Sequence, residues 1–271
     1  DTHNHIHQSC PELVAAMKST SWRGLSICDS RAIGDEPSIL DEMKKGTIEF
    51  SRESGGRWAW ATTLDARGFE SPEFAPRVTA DLKRDFDQGA VAVKLWKNVG
   101  IAIRSKSGEY LMPDSPALAF VFDLIQRSGK TLITHFADPD QAWLPLDPNS
   151  PDSRYYQSHP EWFLFGREGV PSKAAVLAAR DRVLSRYPKM RVIGAHLGSN
   201  EDNLELLAPR LDRFPNFAVD LAARVRHLAR ENFDAVRRFL LKYQDRLIYA
   251  TDFTLRDGNC TKAARTLLQT H

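Results

Sequence analysis

The chain has 271 residues, a formal net charge of +2, 42% hydrophobic and 27% charged residues. That balance excludes a disordered chain and is large enough for a sizeable core. With 37 Lys and Arg against 35 Asp and Glu, there is no electrostatic footprint for nucleic acid or an anionic membrane. No apolar run approaches the length of a bilayer span, so the expected partner is a small molecule. The three cysteines, Cys10, Cys28 and Cys260, form no CxxC pair. No disulfide framework is expected from them, which favours a reducing, cytoplasmic setting. The opening Asp1-Thr2-His3-Asn4-His5-Ile6-His7 is too polar for a signal peptide, and a segment upstream of it is expected to have been removed.

Short apolar runs recur along the chain, each followed by a helical pattern. In order they are 24–29 (GLSICD), 57–64 (RWAWATTL), 90–96 (AVAVKLW), 131–136 (TLITHF), 191–197 (RVIGAHL), 217–222 (FAVDLA) and 246–253 (RLIYATDF). They are β-branched and nearly continuous in apolar character, as strands covered on both faces should be. A further strand ends at residues 1–5. Three amphipathic stripes predict helices: Leu118, Val121, Phe122 and Ile125; Leu204, Leu207, Ala208 and Leu211; and Phe233, Val236, Leu240 and Tyr243. Ser71 before Pro72, Ser115 before Pro116, and Ser199 are the expected N-caps.

Eight strands alternating with helices in one domain of 1–271 predict an α/β fold, a (β/α)8 TIM barrel. An open doubly wound sheet would require a Gly-rich phosphate loop, and neither GxGxxG nor GxxxxGK[ST] is present. Residues 137–171 show no helical period and are rich in Pro, Trp, Tyr and Phe. In a barrel this long connection follows a strand, so it is expected to lie as a lid over the C-terminal face.

Polar side chains stand at the ends of these runs. His3 and His5 are two apart, so a period of two places both on one face. Lys94, His135, His196 and Asp252 each sit at the C-terminal end of a different run. Barrel strand ends converge, so this set predicts a divalent metal site. Taken singly, a strand-end His is a hydrogen-bonded structural residue and a lone Asp a turn cap. A buried Lys needs a partner or a modification. Together, five such positions are hard to explain as accidents. His7, His159, His227 and His271 are read as rim, lid, solvated or anion-facing loop, and chain end.

With these residues in view, the chain resembles the amidohydrolase superfamily of metal-dependent hydrolases. Ala195-His196-Leu197-Gly198 and the later 210–216 (RLDRFPN) resemble its amidohydrolase-related branch, which includes aminocarboxymuconate semialdehyde decarboxylase-like enzymes. The resemblance implies that His3, His5, His135 and Asp252 hold the metal, that His196 is catalytic as general base, and that Asp252 also shuttles a proton. It implies one ion, Zn²⁺ first with Mn, Fe or Co as substitutes, and Lys94 as a substrate ligand. In the binuclear alternative a carbamylated Lys94 bridges two ions. Lys97 and the lid's Trp143 are further substrate-binding candidates. The expected reaction is hydrolysis of a C–O or C–N bond in a small carboxylated metabolite. The alternatives are a decarboxylase or hydratase on the same scaffold, or an inactive barrel serving as a binding module. A homo-oligomer is in keeping with such barrels. The first strand and the C-terminal helices are expected to be incomplete, since only 19 residues follow Asp252.

Overall fold

The computed structural model describes the chain except Ser21, Asp35, Asp202, 256–258 and His271, and except the side chains of 266–270. Nine parallel strand segments form one sheet: β1 (Asn4–His5), β2 (Gly24–Ile27), β3 (Trp58–Thr63), β4 (Ala92–Leu95), β5 (Thr131–Thr134), β6 (Arg191–Gly194), β7 (Phe217–Asp220), β8 (Leu247–Ile248) and β9 (Phe253–Thr254). Each of β1 to β8 is paired with the next in sequence except β8, and β1 with β9. β8 pairs with β7, and β9 pairs with β1. The segment 247–254 therefore joins the two edges of the sheet, and the α/β barrel closes through it.

This last strand is split for a local reason. Asp252 has φ of +62°, which interrupts the extended run. Between the halves, the Asp1 side chain joins the backbone hydrogen bonds. Thr251 donates its N–H to Asp1 Oδ1 (3.1 Å) and its hydroxyl to Asp1 Oδ2 (2.5 Å). The Asp252 N–H donates to the His3 carbonyl at 2.9 Å.

Among the described residues, eight principal helices alternate with the strands: α1 (Pro11–Lys18), α2 (Leu40–Glu53), α3 (Phe74–Asp87), α4 (Ala119–Arg127), α5 (Lys173–Arg186), α6 (Leu204–Arg213), α7 (Phe233–Lys242) and α8 (Cys260–Thr270). Leu118, Val121, Phe122 and Ile125 are all buried, as their stripe requires. Ser115 caps as expected, accepting from the Ala117 N–H. Two other caps shift. α3 starts at Phe74 with Glu73 as N-cap, because 68–72 is taken up by turns ahead of it. α6 is capped by Asn203, which accepts from the Leu206 N–H, while Ser199 is left-handed. The α7 stripe holds at its C-terminal end, where Tyr243 is buried and Leu240 packs on the core, but Phe233 is 77% exposed and Phe239 is buried in its place.

Inside the barrel, Leu25, Ile27, Ala61, Ala92, Ile133 and Ala195 form a small apolar layer. Ala92 and Lys94 share a face of β4, and Ile133 and His135 share a face at β5, by the period of two. The polar groups thus form the layer above this apolar one, at the C-terminal mouth. The larger apolar cluster fills the space between sheet and helices, with Phe122, Leu132, Val192 and Phe217 at its centre.

Two expectations are corrected. Cys10 and Cys260 are paired as a disulfide, with Cα atoms 5.4 Å apart across 250 residues. Spacing hides this pair, because α1 and α8 meet only in the folded barrel. The pairing removes the ground for placing the chain in a reducing compartment. The 137–171 connection also holds short helical turns, at Asp140–Ala142, Ser153–Ser158 and Pro160–Trp162. They are too short to show a period. No described helix is long and apolar enough to cross a membrane.

Candidate metal centre

His3 and His5 point into the mouth from β1 and are 1% and 5% exposed. Their outer nitrogens are held from behind. His3 Nδ1 lies 2.8 Å from Asp220 Oδ2, and His5 Nδ1 donates to the Ile27 carbonyl at 2.9 Å. The Asp220 carboxyl is held down at about 2 against the cost of burial, by its neighbours His3, His196 and Lys94. It is therefore an anion, and His3 donates to it through Nδ1. The proton sits on Nδ1 in both rings, so the Nε2 lone pairs face inward. His5 Nε2 is 3.3 Å and His3 Nε2 3.7 Å from the same atom, Asp252 Oδ1. One ligand atom from each of the three residues lies within 4.8 Å of the others. Burial would raise the Asp252 carboxyl, but the neighbouring His5, His196 and His3 hold it well below the usual range.

His196 follows β6 in a left-handed turn. His196, Leu197 and Ser199 have φ of 57°, 55° and 60°. Such φ values in non-Gly residues store strain and cluster at functional sites. The turn is tight because Gly194 and Gly198 lie against Phe217: a Cβ on Gly194 would meet its Cζ at 2.6 Å. Arg180, 2% exposed, braces it by donating to the Gly198 carbonyl. The His196 N–H donates to Asp220 Oδ1 at 2.7 Å, and its Nδ1 to the Ala222 carbonyl at 2.9 Å. Asp220 thus orients two histidines at once.

His135 comes directly after β5. Its ring lies 4.4 Å from that of His196, and its buried Nε2 has no hydrogen-bond partner. It is adjacent to the three-residue set without joining it. Burial, together with Lys94 and Lys97, keeps the His135 imidazole well below its ordinary pKa; burial and His135 do the same for His196. Neutral imidazoles, a carboxylate and an orphaned ring nitrogen are a donor set that fits a divalent ion of the Zn or Mn kind.

The lysines differ from expectation in their partners. Lys94 is fully buried, with Nζ 3.3 Å from His3 Nε2, and burial lowers it to about 8. Lys97 is not a solvated cation at the mouth. It is 1% exposed, bonded to Asp138 Oδ2 (2.5 Å) and the Tyr155 hydroxyl (2.9 Å), with Nζ 4.6 Å from the centre of the Trp162 ring. Burial lowers its pKa and Asp138 opposes that. Trp143 does not reach the site: its Nε1 donates to the Pro171 carbonyl, and it packs on the core. The lid reaches the cavity, of about 420 Å³, through Tyr155, Tyr156, His159 and Trp162 instead. His227 is buried rather than solvated, with Nε2 2.9 Å from Asp152 Oδ2, and His271 lies outside the described residues. His7 reaches the rim, 3.0 Å from the Ile27 carbonyl.

Sequence reasoning passed over Asp29, Asp138, Asp220 and Arg224, all buried at the cavity or just behind it. For Asp29 and Asp220 a signal existed. Each ends or nearly ends an apolar run, the same rule that picked out His135 and Asp252. Nothing local marks Asp138 or Arg224.

The comparisons with known proteins come from sequence and from structure. A 2,6-dihydroxybenzoate decarboxylase from Rhizobium superposes with a TM-score of 0.55 at 15% identity, over 97% of this chain and 90% of that one. A dihydroxybenzoic acid decarboxylase from Polaromonas, solved with manganese and 2-nitroresorcinol, gives 0.51 at 16% identity, over 93% and 81%. Dihydroorotase from Campylobacter jejuni gives 0.50 at 11% identity, over 93% and 68%. These likenesses show the barrel fold. No curated protein matches the sequence. The amidohydrolase family model matches residues 59–264, more than half of the chain. The chain belongs to the amidohydrolase family.

Proposed function

We propose that the protein is a metal-dependent enzyme that hydrolyses a C–O or C–N bond in a small carboxylated molecule. The observation that carries this reading is the convergence of His3 Nε2 and His5 Nε2 on Asp252 Oδ1, with each imidazole fixed from behind. His3, His5, His135 and Asp252 would hold one ion, Zn²⁺ first, with Mn, Fe or Co as substitutes. Such an ion supplies Lewis acidity and a water acidified toward neutral pH.

The chain's own groups manage protons. His196 keeps its proton on Nδ1 against the Ala222 carbonyl, so Nε2 is free to accept the proton that the attacking water loses. Asp252 has a second oxygen through which that proton, released again by His196, is relayed to the leaving oxygen or nitrogen. A new C–O bond forms at the carbonyl as the old C–O or C–N bond breaks. Lys94 would meet the substrate as a cation. A small-molecule partner and a homo-oligomer remain part of this reading.

A second reading is supported equally. The solved dihydroxybenzoate decarboxylases share this fold. A decarboxylase would break a C–C bond, release carbon dioxide and protonate the carbon from the same His196 and Asp252. The test is metal content per chain by plasma mass spectrometry, followed by release of carbon dioxide against simple hydrolysis on carboxylated aromatic and lactone substrates. The expected result is about one ion per chain, and a His196→Asn variant with that content unchanged and turnover lowered at least ~100-fold. Metal-free protein after soaking overturns the reading. Unchanged turnover in the variant overturns the role of His196.

A further inference from the structure

The cations that line the cavity are not equivalent. Arg31 is spent on Asp29, with NH2 to Oδ2 at 2.9 Å. Lys97 is spent on Asp138, and Arg226 on Asp152 at 2.6 Å. Lys94 donates to His3 Nε2. Arg224 differs. It is 6% exposed, yet among the described residues its hydrogen bonding is confined to NH1 and the carbonyl of its own neighbour, Ala223, at 3.3 Å. Its Nε forms an ion pair with Glu201 Oε1 at 3.5 Å, but it is buried with no hydrogen-bond partner. A guanidinium has five donors in a planar fork. Most of this fork is unspent, inside a cavity, where leaving it so is costly.

Two further observations mark this corner. Ala223 has φ of 55°, a left-handed non-Gly conformation directly before Arg224. That strain is what turns the chain after β7 and brings Arg224 to the mouth. Tyr156 from the lid lines the same cavity, is 3% exposed, and its hydroxyl is also without a hydrogen-bond partner. Tyr156 and Arg224 line this cavity together with Asp138 and Asp152, so hydroxyl and guanidinium face one space.

We propose that Arg224, assisted by the Tyr156 hydroxyl, is the subsite that binds a carboxylate of the substrate. The planar fork matches a carboxylate in two parallel N–H···O bonds, and the phenol adds a third donor. This replaces Lys97, a further substrate-binding candidate of the sequence that the fold has already paired. The assignment rests on the reading that this cavity is the substrate site. It refines that reading by naming the residue that selects anionic substrates.

The test measures binding, so it does not depend on turnover. Metal-loaded protein is titrated calorimetrically with benzoate and with benzamide, a neutral probe of the same shape. Wild type is expected to bind benzoate at least tenfold more tightly. Arg224→Met combined with Glu201→Gln removes both charges together, and is expected to bring the two probes within about twofold while benzamide binding is unchanged. Arg224→Lys is expected to retain part of the preference, as a point charge without the fork. Thermal unfolding checks that each variant is folded. If the double variant fails to fold, Tyr156→Phe is the second probe, expected to weaken benzoate but not benzamide. A full preference for benzoate in the double variant overturns the proposal, since the carboxylate then binds at the metal end. Equal affinities in wild type, or no binding of either probe, also overturn it. Metal content and turnover are read separately, so a failure here is distinguishable from a failure of the proposed function.

Discussion

Asp220 does not face the substrate, yet the geometry makes it the support of the metal centre. The informative change is Asp220→Asn, which keeps shape and removes charge. In the native protein Oδ1 accepts the His196 and Ala222 N–H groups at 2.7 and 3.1 Å, while Oδ2 accepts His3 Nδ1–H at 2.8 Å. In the variant the amide oxygen must take the Oδ1 place to satisfy two backbone donors. The amide NH2 then faces His3 Nδ1 and donates to it. That reverses the His3 tautomer and puts the proton on Nε2, the atom aimed at Asp252. The ligand is blocked with no ligand mutated. Outer partners of this kind are worth about 10–100-fold in metal affinity. Stability falls as well. The native carboxyl is at about 2 against an ordinary 3.8, and each unit corresponds to about 1.36 kcal/mol, so Asp220 contributes about 2 kcal/mol. The sign follows from a lowered carboxylate: the contribution is complete above about pH 4 and is lost as pH falls toward about 2. The assays are metal titration against a competing chelator, and urea unfolding of metal-free protein from neutral to acid pH. We expect affinity lowered at least tenfold and wild type more stable by about 2 kcal/mol at neutral pH, with the gap closing in acid. Affinity within twofold of wild type, or a gap that does not change with pH, would refute the tautomer argument.

Other consequences follow from single contacts. Lys97→Met leaves Asp138 buried without its cation, and breaking a buried pair from one side costs about 3–5 kcal/mol; a urea midpoint unchanged from wild type would contradict that. Cys10→Ser opens a link spanning 250 residues between α1 and α8 and is expected to lower stability by about 2–4 kcal/mol. The check is unfolding with and without reductant: wild type should lose stability on reduction, and the variant should not respond.

The alternation of apolar runs and helical stripes sufficed to derive the barrel from the amino-acid sequence, because strand and helix periods are local properties of the chain. The metal candidates were legible for the same reason. His3 and His5 share a face by the period of two, and His135, His196 and Asp252 each close an apolar run. What the chain's order could not reveal depends on residues brought together from afar. His3 and Asp220 are 217 residues apart, and only closure of the ring makes one the support of the other. The same closure pairs Cys10 with Cys260, and the folded lid gives Lys97 its aspartate. Phe233 lies on a stripe of the right period, but the neighbour that helix packs against sets which face is buried, and Phe233 is left in solvent. Arg224 is the clearest case. Its sequence context resembles that of any surface arginine, and burial with Nε left without a hydrogen bond, a property of the tertiary structure alone, is what sets it apart.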